Sequence, residues 1–368
     1  MIKTVHLGNY SIQDCTSADL GHLESFWRDL EKGADMTAFQ SFDWYKNLAA
    51  LYQQEQTKNL FRKHRYILVL KEERPVLLAP LQINPLGIGY KKYGAPRGVF
   101  FIGRLGYTDY LNFIYDVFDS DALEALIGYV VSNYGQKRFF LDRMPENSAS
   151  YRYLTANYPG QPIAECFASL ILPDSFEAYR KSLSKSTRQN IRTAINRAEK
   201  NGIRLTHTLI LDEDQTVKDQ ITALNAQRLS KKAKASRQQM SLPGRIYCFF
   251  AELYRKLFSA KPDVVNDSKN TFSFLVNDGE KLVAFFWGIR NDQLKEYHVI
   301  LAGVHKDYEW YSPAISHLYL FIEEYYQTSR QDIRILDFTR GGEGYKKKIG
   351  CTDRPVSGFY WIANKQQE

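Results

Sequence analysis

An acidic residue follows a short apolar run and precedes a glycine-rich turn near the end of the chain. Asp337 comes after Ile333–Leu336, Gly341–Gly344 contains three glycines, and Tyr345 and Lys346 follow directly. Glycine lets a backbone come close to a ligand, and a carboxylate beside such a turn can take a proton from a nucleophile. The pattern predicts a site of proton transfer at the end of a buried strand. The alternative is that Asp337 caps backbone amides of the turn.

Two arginines lie one helical turn apart in the middle of the chain. The segment Ser184–Gly202 begins with serine and threonine and ends at a glycine, which is typical of a capped helix. Arg188 and Arg192 flank its apolar stripe and would present parallel guanidinium groups to one anionic ligand. A surface helix with a basic outer face is an equally simple interpretation. The stripe consists of Ile191, Ala194, Ile195 and Ala198.

A third segment specifies the start of a helix that runs to about Gln327. Ser312 suits the N-cap position and Pro313 suits the first helical position. The backbone amides and the positive dipole end of such a helix can bind a phosphate. The alternative is an ordinary core helix whose start binds nothing, and this segment alone favours that alternative.

The positive charge of the chain is concentrated in two windows. The whole chain has 49 Lys+Arg, 41 Asp+Glu and a formal net charge of +8. Residues 180–204 contain eight basic residues and one acid, and residues 228–251 contain six basic residues and no acid. These windows carry +7 and +6, so the rest of the chain sums to −5. Such an uneven field favours an anion-binding region over two solvated faces.

Most familiar catalytic motifs are absent from the sequence. It has no phosphate-binding loop of the G-x-x-x-x-G-K-[ST] type, no G-x-S-x-G elbow and no H-E-x-x-H pair. The seven histidines show no metal-ligand spacing, and the four cysteines lie far apart, so we predict no metal site and reduced, mostly buried thiols. No apolar run is long enough to span a bilayer, and the N-terminus lacks a signal peptide, so we predict a cytoplasmic location.

The arrangement of strands and helices predicts an α/β fold built twice. Residues 66–81 and 272–289 each read as a β-hairpin, the second continuing into a strand near residues 296–299, and each hairpin is preceded by helical segments. The two halves therefore follow one plan, about 200 residues apart. A polar stretch rich in Pro and Gly at 145–162 reads as a linker. We predict one domain over residues 1–162 and a second over 163–368. The helices are expected at 20–30 and 44–52 in the first half, and at 186–200, 217–231 and 245–258 in the second.

These segments, in this order, resemble the CelD/BioF2-like branch of the GNAT acyltransferase superfamily and, more distantly, the FemABX peptidyltransferases. The resemblance covers about residues 170–350. Asn225 stands where the family pattern has histidine, and Ala314 where it has glycine. The matching positions are Leu183, Ser184, Arg188, Ile191, Arg192, Ala194, Glu199, Lys200, Gly202, Leu224, Arg228, Tyr311, Ser312, Pro313, Asp337, Phe338, Gly341, Tyr345 and Lys346.

The resemblance implies two GNAT-like domains and transfer of an acyl group to an amine. The implied donor is acetyl-CoA or another acyl-CoA, and the implied acceptor is an amino sugar, a sugar nucleotide or another cell-envelope or polysaccharide precursor. An aminoacyl-tRNA donor of the FemABX kind is the alternative, and a non-catalytic module that binds anions or nucleic acid is a second one. The implied donor-binding residues are Arg188, Arg192 and Arg228 for phosphates, and Tyr311, Ser312 and Ala314 at the helix start.

The implied chemistry gives each catalytic candidate a role. Asp337 or Asp109 would accept the proton of the amine, Lys346 would hold an oxyanion or phosphate, and Tyr345 would return a proton to the leaving group. In the N-terminal half, residues 92–96 and 106–110 are similar to regions that line the acceptor cleft of FemABX enzymes. Asp109 is equally a turn residue there. All these roles require Arg188, Ser312, Asp337 and Lys346 to share one cavity.

Overall fold

The computed structural model describes residues 2–56, 63–84, 97–103, 108–238, 269–330 and 332–363, which form two compact units. The first unit contains residues up to 165 together with those from 355 onward. The second contains the described residues between 166 and 354. Each unit has a mixed sheet flanked by helices, as the sequence predicts for an α/β fold.

The first unit is built on seven strands in the order β1-β2-β3-β4-β5-β6-β13. Neighbouring strands are antiparallel except β5 and β6, which are parallel. The strands are β1 Lys3–Leu7, β2 Tyr10–Cys15, β3 Lys63–Lys71, β4 Arg74–Asn84, β5 Gly98–Phe101, β6 Arg138–Pro145 and β13 Thr352–Ile362. The helices are α1 Leu20–Leu30, α2 Phe42–Gln56, α3 Ser120–Tyr134 and α4 Ala149–Asn157.

The second unit is built on six strands in the order β7-β12-β11-β10-β9-β8. Here the parallel pair is β11 with β12, and the other neighbours are antiparallel. The strands are β7 Gln161–Ile171, β8 Leu205–Leu211, β9 Thr271–Asp278, β10 Lys281–Asn291, β11 Glu296–Val304 and β12 Ile335–Arg340. The helices are α5 Phe176–Ser182, α6 Lys185–Lys200, α7 Gln215–Gln238, α8 Pro313–Gln327 and α9 Gly344–Lys348.

The two units repeat one topology, which confirms the prediction of an α/β plan built twice. Each has four antiparallel strands in sequence, β2 to β5 or β8 to β11, and then a parallel strand, β6 or β12. In each, the helix before the parallel strand, α3 or α8, makes the crossover that parallel pairing requires. The last neighbour, β13 or β7, is antiparallel. The plan of the first unit is therefore the plan of the second.

Helix α8 shows how helical periodicity builds the core of the second unit. Its residues Ala314, Leu318, Phe321, Ile322 and Tyr325 are buried at intervals of three and four positions, so they share one face. They belong to one apolar cluster with side chains of β9, β10, β11 and β12. The buried stripe therefore fixes which side of α8 faces the sheet, and with it the position of the helix start.

The predicted linker and domain boundary differ from the structure at two points. Residues 145–162 contain α4, because Ser148 accepts a hydrogen bond from the Tyr151 amide and caps that helix. The last strand, β13, pairs with β6 through Val356–Ile362, so the C-terminal residues belong to the first unit. The predicted division at 162/163 assigned them to the second domain. The predicted helix at 245–258 lies outside the described residues.

A β-bulge bends β11 away from its parallel neighbour. The register between β10 and β11 shifts between Trp287 and Gly288, which leaves Ile300 without an opposite residue. β11 pairs with β12 through residues 296–298, whereas it continues against β10 as far as Val304. Bulges increase local twist and re-aim a strand. Backbone pairing between β11 and β12 therefore ends at residue 298, and this interruption of the sheet is the crevice between the C-terminal parts of the two strands.

Gly288 makes this bulge possible, and we predict that Gly288→Ala destabilises the protein by about 3 kcal/mol or more. A Cβ atom at this position would lie 1.7 Å from the backbone oxygen of His298, so β10 and β11 would have to move apart. The measurement is urea denaturation of the full chain. Gly128→Ala is the control, because its Cβ meets nothing within 4 Å in the middle of α3, where alanine is favoured by about 0.5–1 kcal/mol. Equal stability of the two variants would contradict this role of Gly288.

Candidate functional site

The crevice between β11 and β12 lies at the position where parallel α/β units usually bind ligands. β11, α8 and β12 form a β-α-β unit, and such units bind ligands beyond the carboxyl ends of their strands, near the helix N-terminus. Thr339 closes the base of the crevice, because its Oγ1 donates to the Val299 carbonyl at 2.9 Å. A side-chain bond thus replaces the backbone ladder where the strands separate.

Asp337 lies at this base and is fully buried. Its Oδ1 accepts the Thr339 amide at 2.6 Å, and its Oδ2 accepts a bond from Arg354 at 2.7 Å. It lies opposite His298 of β11 in the parallel register. Asp337 is the third of the six residues of β12, so the predicted position at the end of the strand is corrected: Asp337 lies within the strand, where the pairing with β11 ends. The amide that it binds is that of Thr339.

His298 and Glu296 form a cluster of ionisable side chains with Asp337 and Arg354. His298 is fully buried, and its Nε2 lies 3.4 Å from Glu296 Oε2. Arg354 also approaches Glu296, at 3.5 Å. Burial lowers the pKa of His298, although the negative charges of Asp337 and Glu296 partly oppose that shift. His298 is therefore neutral at pH 7, and Arg354 supplies the positive charge of the cluster.

The sequence analysis missed Glu296, His298 and Arg354. Glu296 and His298 are two positions apart on β11, so both project to one face of the sheet. A polar pair at that spacing inside an otherwise apolar strand was the signal available in the sequence. No local signal of this kind exists for Arg354, because only the fold brings its side chain close to Asp337.

Lys346 is 3% exposed, and its ammonium group is bound by the glycine turn itself. Its Nζ donates to the carbonyl oxygens of Thr339, Arg340 and Gly341 at 3.0–3.2 Å, and it lies 3.0 Å from Glu343 Oε2. An ammonium group has three donors, and three carbonyls take them. In this conformation Lys346 stabilises the turn, whereas the predicted oxyanion or phosphate would need one of those donors.

Tyr345 and Arg228 lie near one another beside this turn. The pKa of Tyr345 is raised, mainly by burial and also by Glu343, and the charge of Arg228 lowers it slightly. Its hydroxyl is therefore protonated at neutral pH, as a proton donor must be. The ring contacts Phe338, with centroids 6.2 Å apart. Arg228 donates to Asn225 Oδ1 at 2.9 Å, the position where the family pattern has histidine.

The start of α8 has the predicted N-cap and first-turn residues, with a different capping geometry. Ser312 occupies the N-cap position in a left-handed conformation, φ 44°, and its hydroxyl makes no capping bond. Ala314 is buried in the apolar core, where its methyl group packs. The Tyr311 hydroxyl accepts a bond from Asn201 at 3.1 Å. These three residues therefore fix the helix start, and its backbone amides remain the candidate phosphate donors.

An exposed tryptophan precedes this helix start. Trp310 is 68% exposed, and the guanidinium of Arg197 lies 3.9 Å from the centroid of its ring. Arg197 also donates to the Trp310 carbonyl at 2.6 Å. One face of the indole is thus covered by a cation from α6, which holds the turn before α8 in place.

Arg188 and Arg192 line a different pocket, on the outside of the second unit. The pocket lies among α5, α6 and α8, has a volume of about 400 Å³ and is also lined by Arg180 and Lys185. Asp337, Lys346 and Ser312 are not among the residues that line it. This pocket therefore does not bring them together with the two arginines, and the shared cavity of Arg188, Ser312, Asp337 and Lys346 stays a prediction.

Asp109 belongs to the first unit and pairs with a cation there. Its Oδ1 lies 3.7 Å from Arg143 Nη1, and both side chains are at most 7% exposed. Arg143 also donates to the Thr108 carbonyl and lies 4.0 Å from Glu165. These contacts favour the alternative interpretation of Asp109 as a structural residue. The predicted acceptor segments at 92–96 and 106–107 lie outside the described residues.

The described cysteines are free thiols, and two of them are unsuited to nucleophilic catalysis. Burial raises the pKa of Cys15 and of Cys351 to about 12, so both stay protonated at neutral pH. Cys166 is exposed, which corrects the prediction of mostly buried thiols. Among the described residues, no group of three or more His, Cys, Asp or Glu could hold a metal ion. Within the same part of the chain, no helix is both long and apolar enough to cross a membrane.

A pair of histidines joins β8 to α8. The Nδ1 atoms of His207 and His317 are 3.2 Å apart, and His207 Nε2 lies 3.2 Å from Glu324 Oε2. Burial lowers the pKa of His317 to about 4, and the neighbouring His207 adds to that shift. Burial also lowers the pKa of His207, which Glu324 partly opposes. The folded protein therefore disfavours protonation of this pair.

Comparison with known proteins finds one matching family model and several structures of similar fold. Residues 185–347 match the family model described as "Acetyltransferase (GNAT) domain". The structure of FemX has a TM-score of 0.53 and 12% identity, covering 99% of this chain and 98% of that one. A conserved protein of unknown function from Bacteroides thetaiotaomicron has a TM-score of 0.51 and 13% identity, covering 98% and 100%. No curated protein matches the chain. At these identities, the two structures show a shared fold.

Removing the charge of Asp337 should strongly destabilise the protein. In Asp337→Asn, the Arg354 guanidinium, whose side chain is 23% exposed, loses its 2.7 Å partner at a fully buried position, and we expect a loss of about 3 kcal/mol in the free energy of unfolding. The matched control is Asp332→Asn, because Asp332 pairs with Arg330 at 2.6 Å at a half-exposed site. That change should cost less than about 1 kcal/mol. Urea denaturation measures both, and similar losses would contradict the importance of the buried pair.

Acid should weaken the fold through His317. Its folded-state pKa is about 4, below the unfolded value of about 6.5, so the unfolded chain binds more protons between these values. Stability should therefore fall as the pH drops from about 6.5 to about 4, by roughly 3 kcal/mol in total. His317→Asn should remove this part of the pH dependence. His6→Asn, at an exposed position of β1, is the control and should leave the pH profile of the unfolding midpoint unchanged.

Proposed function

We propose that this chain is an acyltransferase of the GNAT type, which transfers an acyl group from acyl-CoA to the amine of a small acceptor. In the reaction, the amine nitrogen attacks the thioester carbonyl and forms the new C–N bond. The C–S bond then breaks, the thiolate takes up a proton, and the nitrogen loses one to water. The protein has to hold the thioester, stabilise the oxyanion and supply the proton to sulfur.

The separation of β11 from β12 is the observation that carries this proposal. Beyond residue 298, the edge of β11 that faced β12 no longer pairs with that strand, so its backbone can bind an extended ligand that contains amides. The pantetheine arm of CoA is such a ligand. The N-terminus of α8 follows β11 after residues 305–312, which include the 3₁₀ helix Lys306–Tyr311, and can take the pyrophosphate. The match of residues 185–347 to the GNAT family model supports the same assignment.

We assign Asp337 a positioning role and Tyr345 the role of proton donor. Asp337 is fully buried and bound by Arg354 and by the Thr339 amide, so it holds the strand end that forms the crevice. Tyr345 lies directly after the glycine turn, and its raised pKa keeps the hydroxyl protonated. Lys346 holds the turn carbonyls in place and thereby fixes the backbone beside the reacting thioester.

The experiment is a direct assay of the full chain with acetyl-CoA and a longer acyl-CoA. The acceptors are amino sugars and nucleotide-linked amino sugars, and the products are detected by mass spectrometry together with released CoA thiol. We expect a stable acylated amine that forms only with enzyme. A parallel reaction with aminoacyl-tRNA tests the FemABX-like alternative. Turnover with aminoacyl-tRNA alone would overturn the acyl-CoA assignment, and ligand binding without product from either donor would favour a non-catalytic module.

Tyr345→Phe tests the proposed proton donor. The change removes one hydroxyl and leaves the ring beside Phe338, so we expect kcat to fall by about 10²–10⁴ while KM for the donor stays within about twofold. Tyr308→Phe is the matched control, since its hydroxyl donates to Asp278 at 2.7 Å, away from the glycine turn. Equal kcat values for the wild type and Tyr345→Phe would remove the assignment.

A further inference from the structure

We infer that the pocket among α5, α6 and α8 is a second anion site, which binds a small organic molecule carrying a diphosphate group. The pocket is separate from the proposed donor crevice, because the residues that line it come from these three helices. Residues of β11, β12 and the glycine turn are not among them. The inference is therefore independent of the proposed acyl transfer.

Charge is the first argument for an anionic ligand. Arg180, Lys185, Arg188 and Arg192 line the pocket, and none of its lining residues is acidic. Glu177 does pair with Arg180 at 2.9 Å, and it lies outside the lining. Apart from Arg180, the pocket is lined by three basic side chains of α6, Lys185, Arg188 and Arg192, which lie within about two turns of the helix. Cationic side chains that cluster in a concave site raise the local concentration of anionic ligands.

The second argument is that Arg188 is held in place before any ligand binds. Its Nη1 donates to the carbonyl oxygens of Arg180 and Leu183, at 3.1 Å and 2.6 Å. Both bonds use one nitrogen, which leaves Nε and Nη2 as a pair of donors for phosphate oxygens. The same contacts satisfy carbonyl groups at the end of α5. The guanidinium is therefore fixed at the boundary between α5 and α6, and a ligand need not order it.

The shape of the pocket indicates a ligand with two chemically different ends. Along α6, the lining extends from Lys185 to Asn196, which corresponds to about 16 Å of helix. The cations occupy the N-terminal part of this length, whereas Ile195 and Asn196 at the other end are uncharged. Tyr319 of α8 supplies an aromatic wall. A diphosphate ester with an uncharged sugar or nucleoside part matches this distribution.

The volume supports a small molecule over a nucleic acid strand. About 400 Å³ lies within the usual range for small-molecule pockets, roughly 300–1,000 Å³. A nucleic acid would instead follow an open basic groove, with aromatic side chains that stack successive bases. The pocket is lined mainly by α6, with one residue each from α5 and α8, and Tyr319 is the one aromatic side chain among its lining residues.

The test measures binding of inorganic pyrophosphate and of uridine diphosphate to the full chain by isothermal titration calorimetry. The pocket variant is the double substitution Lys185→Gln with Arg192→Gln, since both side chains are exposed on α6. The matched control is Lys200→Gln with Arg204→Gln, which removes the same charge from exposed positions outside the pocket lining. We expect the pocket variant to bind both probes at least tenfold more weakly than the wild type, and the control to differ by less than twofold.

Four outcomes would overturn the inference. The first is that the wild type binds neither pyrophosphate nor uridine diphosphate at 1 mM probe, a concentration that corresponds to a binding free energy of roughly −4 kcal/mol. The second is equal weakening of binding in both double variants, and the third is binding of a short RNA but of neither small probe. The fourth is a parallel loss of acetyl-CoA binding in the pocket variant. The last outcome would make the pocket part of the donor site. Acetyl-CoA binding that is unchanged in the pocket variant, together with lost pyrophosphate binding, supports two separate sites. The product assay with acyl-CoA and amine acceptors tests the acyl transfer activity separately.

Discussion

The ion pair between Asp337 and Arg354 stabilises the region of the second unit where the pairing of β11 with β12 ends. Two carboxylates, Asp337 and Glu296, share one guanidinium beside a buried neutral histidine. Burying charges costs free energy, and such clusters are stable only when hydrogen bonds satisfy them. Here Asp337 also binds the Thr339 amide, and Thr339 in turn binds β11. The cluster thus ends the parallel pairing at a defined residue.

Three structural features then keep the strands apart beyond this point. The bulge at Ile300 bends β11, and Gly288 allows the close approach that the bulge needs. β12 has its own irregularity, since its register with β7 shifts between Asp337 and Arg340. Lys346 ties the following turn to the strand end through three carbonyl oxygens. These local constraints fix the point at which the parallel pairing ends, so a ligand of the kind proposed above would need little reorganisation of the backbone to bind there.

Sequence patterns predicted the fold better than they predicted the site. Hairpin alternation and helical periodicity gave the repeated α/β plan and the start of α8 at Pro313, because such patterns report which face is buried. The side chains that line a cavity come from segments that are far apart in the sequence, so local patterns do not predict which of them meet. Arg188 was predicted to bind the donor, and in the structure its guanidinium donates to the Leu183 carbonyl at the end of α5 and lines the pocket among α5, α6 and α8. The serine and asparagine residues near 148 indicated a linker and proved to begin a helix.

Trp310 gives the protein an optical property that follows from its exposure. The other four tryptophans, Trp27, Trp44, Trp287 and Trp361, are at most 5% exposed. Water-borne quenchers such as iodide or acrylamide therefore reach one indole and leave four shielded. The red-shifted, quenchable part of the intrinsic fluorescence originates from the turn just before α8. Emission spectroscopy of the unlabelled protein can thus follow events at that corner of the molecule, without any introduced dye.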